Sequence, residues 1–337
     1  MNCLYRRRPA ARGTAVAVLA VLAIGALIRP ACGDVVTWTV ASGTWNIGGN
    51  WSGGAVPTTS GTAIIDASRT VLLGTGVSGT AASAVIANTS TGTMSLSGGQ
   101  LTAAASIVGM SQGSNGTVTV SSGSWTTSGD LELGRSGTAT MQISGGRVSN
   151  ATGYLGNYYV TVGANATGSA TVTGGTWANS SDLYVGWSGV GALTVDGGVV
   201  TSANSTIAFL QGSRGTATIT SGSWLTTGTL TIGGTGLGVS KAVATMLVNG
   251  GYVGNTDGVV GSLNLSSGTA TITSGTWASS GSLTVGSSGA GTLVVSGGRV
   301  TNGGGLIGGS SGGQGAVSVS SGTWATGGDL SNGGAGT

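Results

Sequence analysis

Ten residues recur down this chain at a nearly constant spacing, and that column limits what the chain can fold into more than any other feature. They are Leu101, Trp125, Val148, Trp177, Val200, Trp224, Val253, Trp277, Val300 and Trp324. Successive members lie 23 or 24 residues apart, apart from two intervals of 29. A fixed period in this range marks a solenoid, in which each unit buries its apolar side only by stacking on its neighbours. The unit is a coil of 23 or 24 residues. Because Trp alternates with Leu or Val, two coils make the full repeat.

Two further columns hold the same register. Five places before each member stands a branched aliphatic residue: Leu96, Val120, Ile143, Val172, Val195, Ile219, Val248, Ile272, Val295 and Val319. Seven places before stand Met94, Val118, Met141, Ala170, Leu193, Ala217, Met246, Ala270, Leu293 and Val317. Thr or Ser mostly separates the two columns, and this period-2 alternation predicts a strand with one buried face. Six places after each Trp comes Leu131, Leu183, Leu230, Leu283 or Leu330. Each coil therefore reads as three short strands joined by Ser/Gly turns. The expected fold is all-β, a parallel β-helix of ten or more rungs. It is taken as right-handed, because crossovers between parallel strands favour that hand. Ten rungs stacked about 4.8 Å apart make a rod of about 48 Å. A transmembrane β-barrel needs strands of about 9–11 residues, longer than the alternating runs here.

Composition supports this reading. Of 337 residues 70 are Gly, yet only 3 are Pro, and no Gly-X-Y triplet runs through the chain. Charged residues make up 6%, too few for ordinary disorder. The net charge of +3 is concentrated at the start, where Arg6, Arg7, Arg8, Arg12 and Arg29 lie. Beyond residue 33, six basic residues face eight acidic ones, for a net charge of −2, which gives a nucleic-acid partner no electrostatic support.

The segment 1–33 reads as a signal peptide. Arg6–Arg8 forms its basic region and Ala15–Ile28 its apolar run, which is short for a membrane span; small residues favour cleavage before Asp34. Cys3 and Cys32 both precede that cut, so the mature chain holds neither a disulfide nor a thiolate metal site. Residues 34–90 fit the register poorly and carry Trp38, Trp45 and Trp51; they are expected to form an N-terminal cap and the first coils. Residues 91–337 are the repeat, which breaks off within a coil at Thr337 and suggests a fragment or an open, self-associating end.

At this point the repeats resemble a known class. Gly268–Gly286 (GTATITSGTWASSGSLTVG) and Gly291–Gly308 (GTLVVSGGRVTNGGGLIG) are similar to the repeat shared by type V secretion (autotransporter) passengers and PEP-CTERM exported proteins. Trp45–Pro57 (WNIGGNWSGGAVP) looks like the segment that often precedes such repeats. The likeness covers roughly residues 38–330. It implies a β-helical protein at a bacterial cell surface or outside the cell, and no particular activity. The chain departs from the class in showing neither a C-terminal translocator barrel nor a Pro-Glu-Pro sorting tail.

Chemistry is sparse. With no His, a Ser-His-Asp or Cys-His arrangement is excluded. Asp130 and Glu132 are the one close acidic pair suited to glycoside hydrolysis, and they read as two solvated carboxylates at a strand start. No cofactor or metal site is expected. An outward Trp stripe would suit a polysaccharide, but the column shared with Val and Leu points to core, where large and small residues alternate. The candidate ligand-binding residues fall in two groups. Tyr158, Tyr159 and Lys241 lie in the turns lengthened in the 29-residue intervals, where solenoids often bind. Arg147, Tyr252 and Arg299, with Val199, precede column residues and should form an outward stripe. The leading expectation is a non-catalytic structural or adhesin-like surface protein. A carbohydrate-binding module is the alternative, ahead of a polysaccharide lyase or hydrolase; polysaccharide or other cell-surface components are the expected partners.

Overall fold

A computed structural model describes residues 33–157, 166–234, 240–310 and 312–333. The alternating Thr/aliphatic runs form parallel strands that stack into a β-solenoid of about 12 turns. One coil shows the plan: a first strand Thr138–Ile143, a second Arg147–Asn150 and a third Gly153–Leu155. Elsewhere the first and second strands run together, as in Val190–Ser202. The only helical segments among the described residues are two three-residue 3₁₀ turns, Gly48–Asn50 and Ser52–Gly54. Residues 1–32, with both cysteines, lie outside the described residues.

The three columns are inward ladders in the register read from the sequence. Trp125 faces Leu101 on one side and Val148 on the other, and the alternation continues unbroken to Val300 and Trp324. Trp125, Trp177, Trp224 and Trp277 are each 0% exposed, so the indoles are core and not a sugar-binding stripe. A fourth ladder, on the third strand, runs Ile86, Val108, Leu133, Leu155, Val185, Ile207, Ile232, Val260 and Val285. Third strands end on glycines such as Gly134 and Gly156 at φ of 71° and 66°. A Cβ at either would lie 2.2 Å from a carbonyl of the next coil, so only Gly allows coils this close.

Packing explains why the repeat is two coils long. The Leu that follows each Trp stacks on a small residue in the adjoining coils: Leu183 on Gly153 and Ser205, Leu283 on Gly258 and Gly305. A Cβ on Gly258 would come 2.8 Å from Leu283 Cδ1 and 2.9 Å from Trp277 Cζ2. A coil carrying Trp and Leu thus fills space that the Val/Gly coil beneath leaves open, which keeps the interior at close-packed density.

A polar ladder also runs inside the solenoid, two places after the Trp/Val column. Thr127, Asn150, Asn179, Ser202, Thr226, Asn255, Ser279 and Asn302 are all buried. Three of its four asparagines accept indole N–H groups: Trp177 donates to Asn150 Oδ1 at 2.8 Å, Trp277 to Asn255 Oδ1 at 2.7 Å and Trp324 to Asn302 Oδ1 at 2.5 Å. Trp125 donates to Ser106 Oγ at 3.3 Å. Trp224, whose neighbouring coil carries Ser202 at that place, has a buried Nε1 without a partner.

The register reaches further toward the N-terminus than the sequence suggested. Val71, Leu73 and Gly79 pair with Met94, Leu96 and Leu101 and extend all three columns by a coil. Gly79 disguises the pattern because Trp45 takes its volume; a Cβ there would sit 2.8 Å from the indole. Trp45 packs edge-on against Trp51, which packs edge-on against Trp38, with centroids 4.8 and 4.9 Å apart, and all three are buried.

Candidate functional site

The second strand turns alternate residues outward, and it gathers three of the residues expected to bind. Arg147, Thr176, Val199, Ser223, Tyr252, Thr276 and Arg299 form one outward ladder. Arg147 and Arg299 are exposed, and Tyr252 is 41% exposed. Tyr252 stands four rungs from Arg147 and two from Arg299, about 19 and 10 Å at the usual strand spacing. The parallel ladder on the same face carries small residues at Ala178, Gly254 and Ala278, and there the surface dips.

Two shallow grooves result. One, of about 380 Å³, is lined by Arg147, Ser149, Ala178, Asn179 and Thr201 among others. The other, of about 480 Å³, is lined by Leu225, Tyr252, Gly254, Asn255, Ala278 and Thr301 among others. The Tyr252 ring lies across Gly254, where a Cβ would be 2.8 Å from Cε1, with Leu225 beside it. Threonine and serine hydroxyls, one aromatic face and two guanidinium groups equip this surface for non-covalent recognition.

The remaining candidates lie elsewhere. Lys241 is exposed just ahead of a first strand and does not join this face. Tyr158 and Tyr159 lie outside the described residues.

The third-strand face holds a cluster that sequence reasoning missed. Tyr154 stacks on Tyr184 in the next coil, with centroids 5.4 Å apart. Trp187 meets Tyr184 edge-on at 4.5 Å and stacks on Phe209 at 4.3 Å. The Tyr184 hydroxyl donates to Asp182 Oδ2 at 3.0 Å, and burial with the Asp182 charge pushes the phenol well above its usual range. The available signal was the position of Tyr154 and Tyr184, each one place after the Leu/Gly ladder.

Glu132 adjoins Tyr154 on the same ladder, and here the expectation of two solvated carboxylates is corrected. Glu132 is only 5% exposed. Its Oε2 takes the Arg135 Nε at 2.9 Å and the Asn157 Nδ2 at 3.1 Å. Burial raises its carboxyl above the ordinary value, against the pull of Arg135 and with a further push from Asp130. Burial also raises Asp130, half sunk beneath its neighbours, although Thr152 and Arg135 oppose the shift. The physical reason is that a tyrosine ladder and a buried Asn cover this short strand's outward side.

No protein-family model, curated protein or solved structure matches this chain. Among the described residues, no group of three His, Cys, Asp or Glu side chains is placed to hold a metal ion, and no helix is long and apolar enough to cross a membrane.

Proposed function

We propose that the chain is an exported, non-catalytic structural rod that stands at or beyond the surface of a bacterial cell and acts by presenting flat faces for adhesion. The observation that carries this reading is the unbroken stack of about 12 parallel turns on one apolar core. Such a stack leaves its strand faces as the large accessible features, and those faces are surfaced mainly by Thr and Ser. The basic-apolar N-terminal segment and the resemblance to autotransporter passengers and PEP-CTERM proteins support export. Cell fractionation with N-terminal mass spectrometry tests it: the expected product begins at Asp34 and is shaved by protease from intact cells or found in the medium. Full-length chain retained in the cytoplasm would overturn it.

A second reading, a carbohydrate-binding module, is favoured by the two grooves on the second-strand face, one beside Arg147 and the other beneath Tyr252.

A further inference from the structure

The eight acidic residues outnumber the six basic ones beyond residue 33, yet they avoid one face of the rod altogether. The two outward ladders of the second strand, from Gln100 to Thr323 and from Thr102 to Ala325, contain no carboxylate and two arginines. Arg69 spends its guanidinium on the Trp38 carbonyl, and Arg135 spends its own on Glu132. Among the described residues Arg147 and Arg299 have no ion-pair partner, and both project into solvent. Tyr252 lies between them on the same line, its ring laid across Gly254 beside Leu225.

We propose that this face is the docking track for an acidic polysaccharide that runs along the rod axis. The proposal rests on the surface-rod reading and names the ligand class for it. A guanidinium matches the planar fork of a carboxylate or sulfate, and it keeps its charge at any relevant pH. The Tyr252 ring supplies a flat apolar platform with a polar tip, suited to the C–H face of a sugar ring. Thr201 and Thr301 in the groove walls supply hydroxyl partners for sugar hydroxyls. The grooves share one pair of ladders, so a linear occupant reaches both without bending.

Other occupants fit less well. A peptide that adds as a β-strand needs a free sheet edge, and this strand's backbone groups are bonded to the coils above and below. A nucleic acid presents a charge every 1.7 Å or so, against two guanidiniums about 29 Å apart.

Affinity electrophoresis of the full chain through gels containing polygalacturonate, dextran sulfate or uncharged dextran tests the proposal. Retardation is expected in one or both acidic gels and not in dextran; the arm that responds identifies carboxylate or sulfate. Replacing both arginines (Arg147→Gln with Arg299→Gln) should weaken binding about tenfold or more, since charge-assisted hydrogen bonds are lost. Lysine at both places should restore part of it. Tyr252→Ala should weaken binding and Tyr252→Phe should not. Arg214→Gln, on the first-strand ladder, serves as a charge control and should leave binding intact. Circular dichroism confirms that each variant folds. No retardation in either acidic gel, binding to dextran alone, or full binding by the double arginine variant would overturn the proposal. Sedimentation of the same samples reports the rod shape separately, so a rod that binds nothing refutes this inference and leaves the structural reading standing.

Discussion

The fit between Trp277 and Gly258 predicts a coupling whose sign depends on the partner. Trp277 is 0% exposed, and its indole N–H is bonded to Asn255, so Trp277→Ala should cost about 3–5 kcal/mol. Gly258→Ala adds a Cβ 2.9 Å from the indole and 2.8 Å from Leu283, tighter than real contacts allow. Overpacking of that kind costs about 1–3 kcal/mol. With the indole gone, Leu283 can move into the vacated space and the added methyl fills part of it. A Gly→Ala change at a strand position then gains about 0.4–1 kcal/mol by restricting the unfolded chain. The unfolded-chain gain is common to both backgrounds, so the two substitutions should be non-additive by the relieved overpacking, about 1–3 kcal/mol, with Gly258→Ala harmful alone and helpful beside Trp277→Ala. Long repeat arrays do not always unfold in one step. Native-state hydrogen exchange of amides in 242–285 is therefore the assay, with urea unfolding as a check. Effects that add within about 0.5 kcal/mol would refute the volume exchange between coils.

Two further outcomes follow from buried polar groups. Ser202→Asn should give the orphaned Trp224 Nε1 the partner its counterparts have, raising stability by about 0.5–1.5 kcal/mol in urea unfolding; a loss of stability would mean the site has no room for the amide. Glu132 has a folded pKa above its unfolded value, so the native state holds that proton more tightly, and the group's contribution to stability falls as pH rises from the usual carboxylate value through the raised one. Wild type and Glu132→Gln should be close in acid, with the variant gaining ground toward neutrality; a wild type that gains on the variant as pH rises would contradict the burial account.

The fold was legible because its inward residues repeat by type as well as by place. Leu, Ile, Val and Met at fixed offsets can be read without knowing what they touch. The coil of Val71, Leu73 and Gly79 was hidden because Gly79 stands where others have Leu, Val or Trp, and the residue that compensates, Trp45, is 34 positions away. The polar ladder was missed because Asn150 and Asn255 look like turn residues, which Asn usually is; only the indoles opposite reveal them as core. On the outer faces, alternation placed Arg147, Tyr252 and Arg299 on one line. It gave no warning that Glu132 is buried, because that depends on Tyr154 one coil on and on Asn157 beyond it.

The exchange of volume between neighbouring coils also sets how such a rod can change length. Removing a single coil would bring two Trp-bearing coils into contact, or two Val/Gly coils, leaving either a collision of indoles or an empty layer. Removing two adjacent coils restores the same junction that was there before. Growth and loss of this chain should therefore proceed in steps of 47 to 53 residues, the distances between successive column tryptophans, and not in single turns.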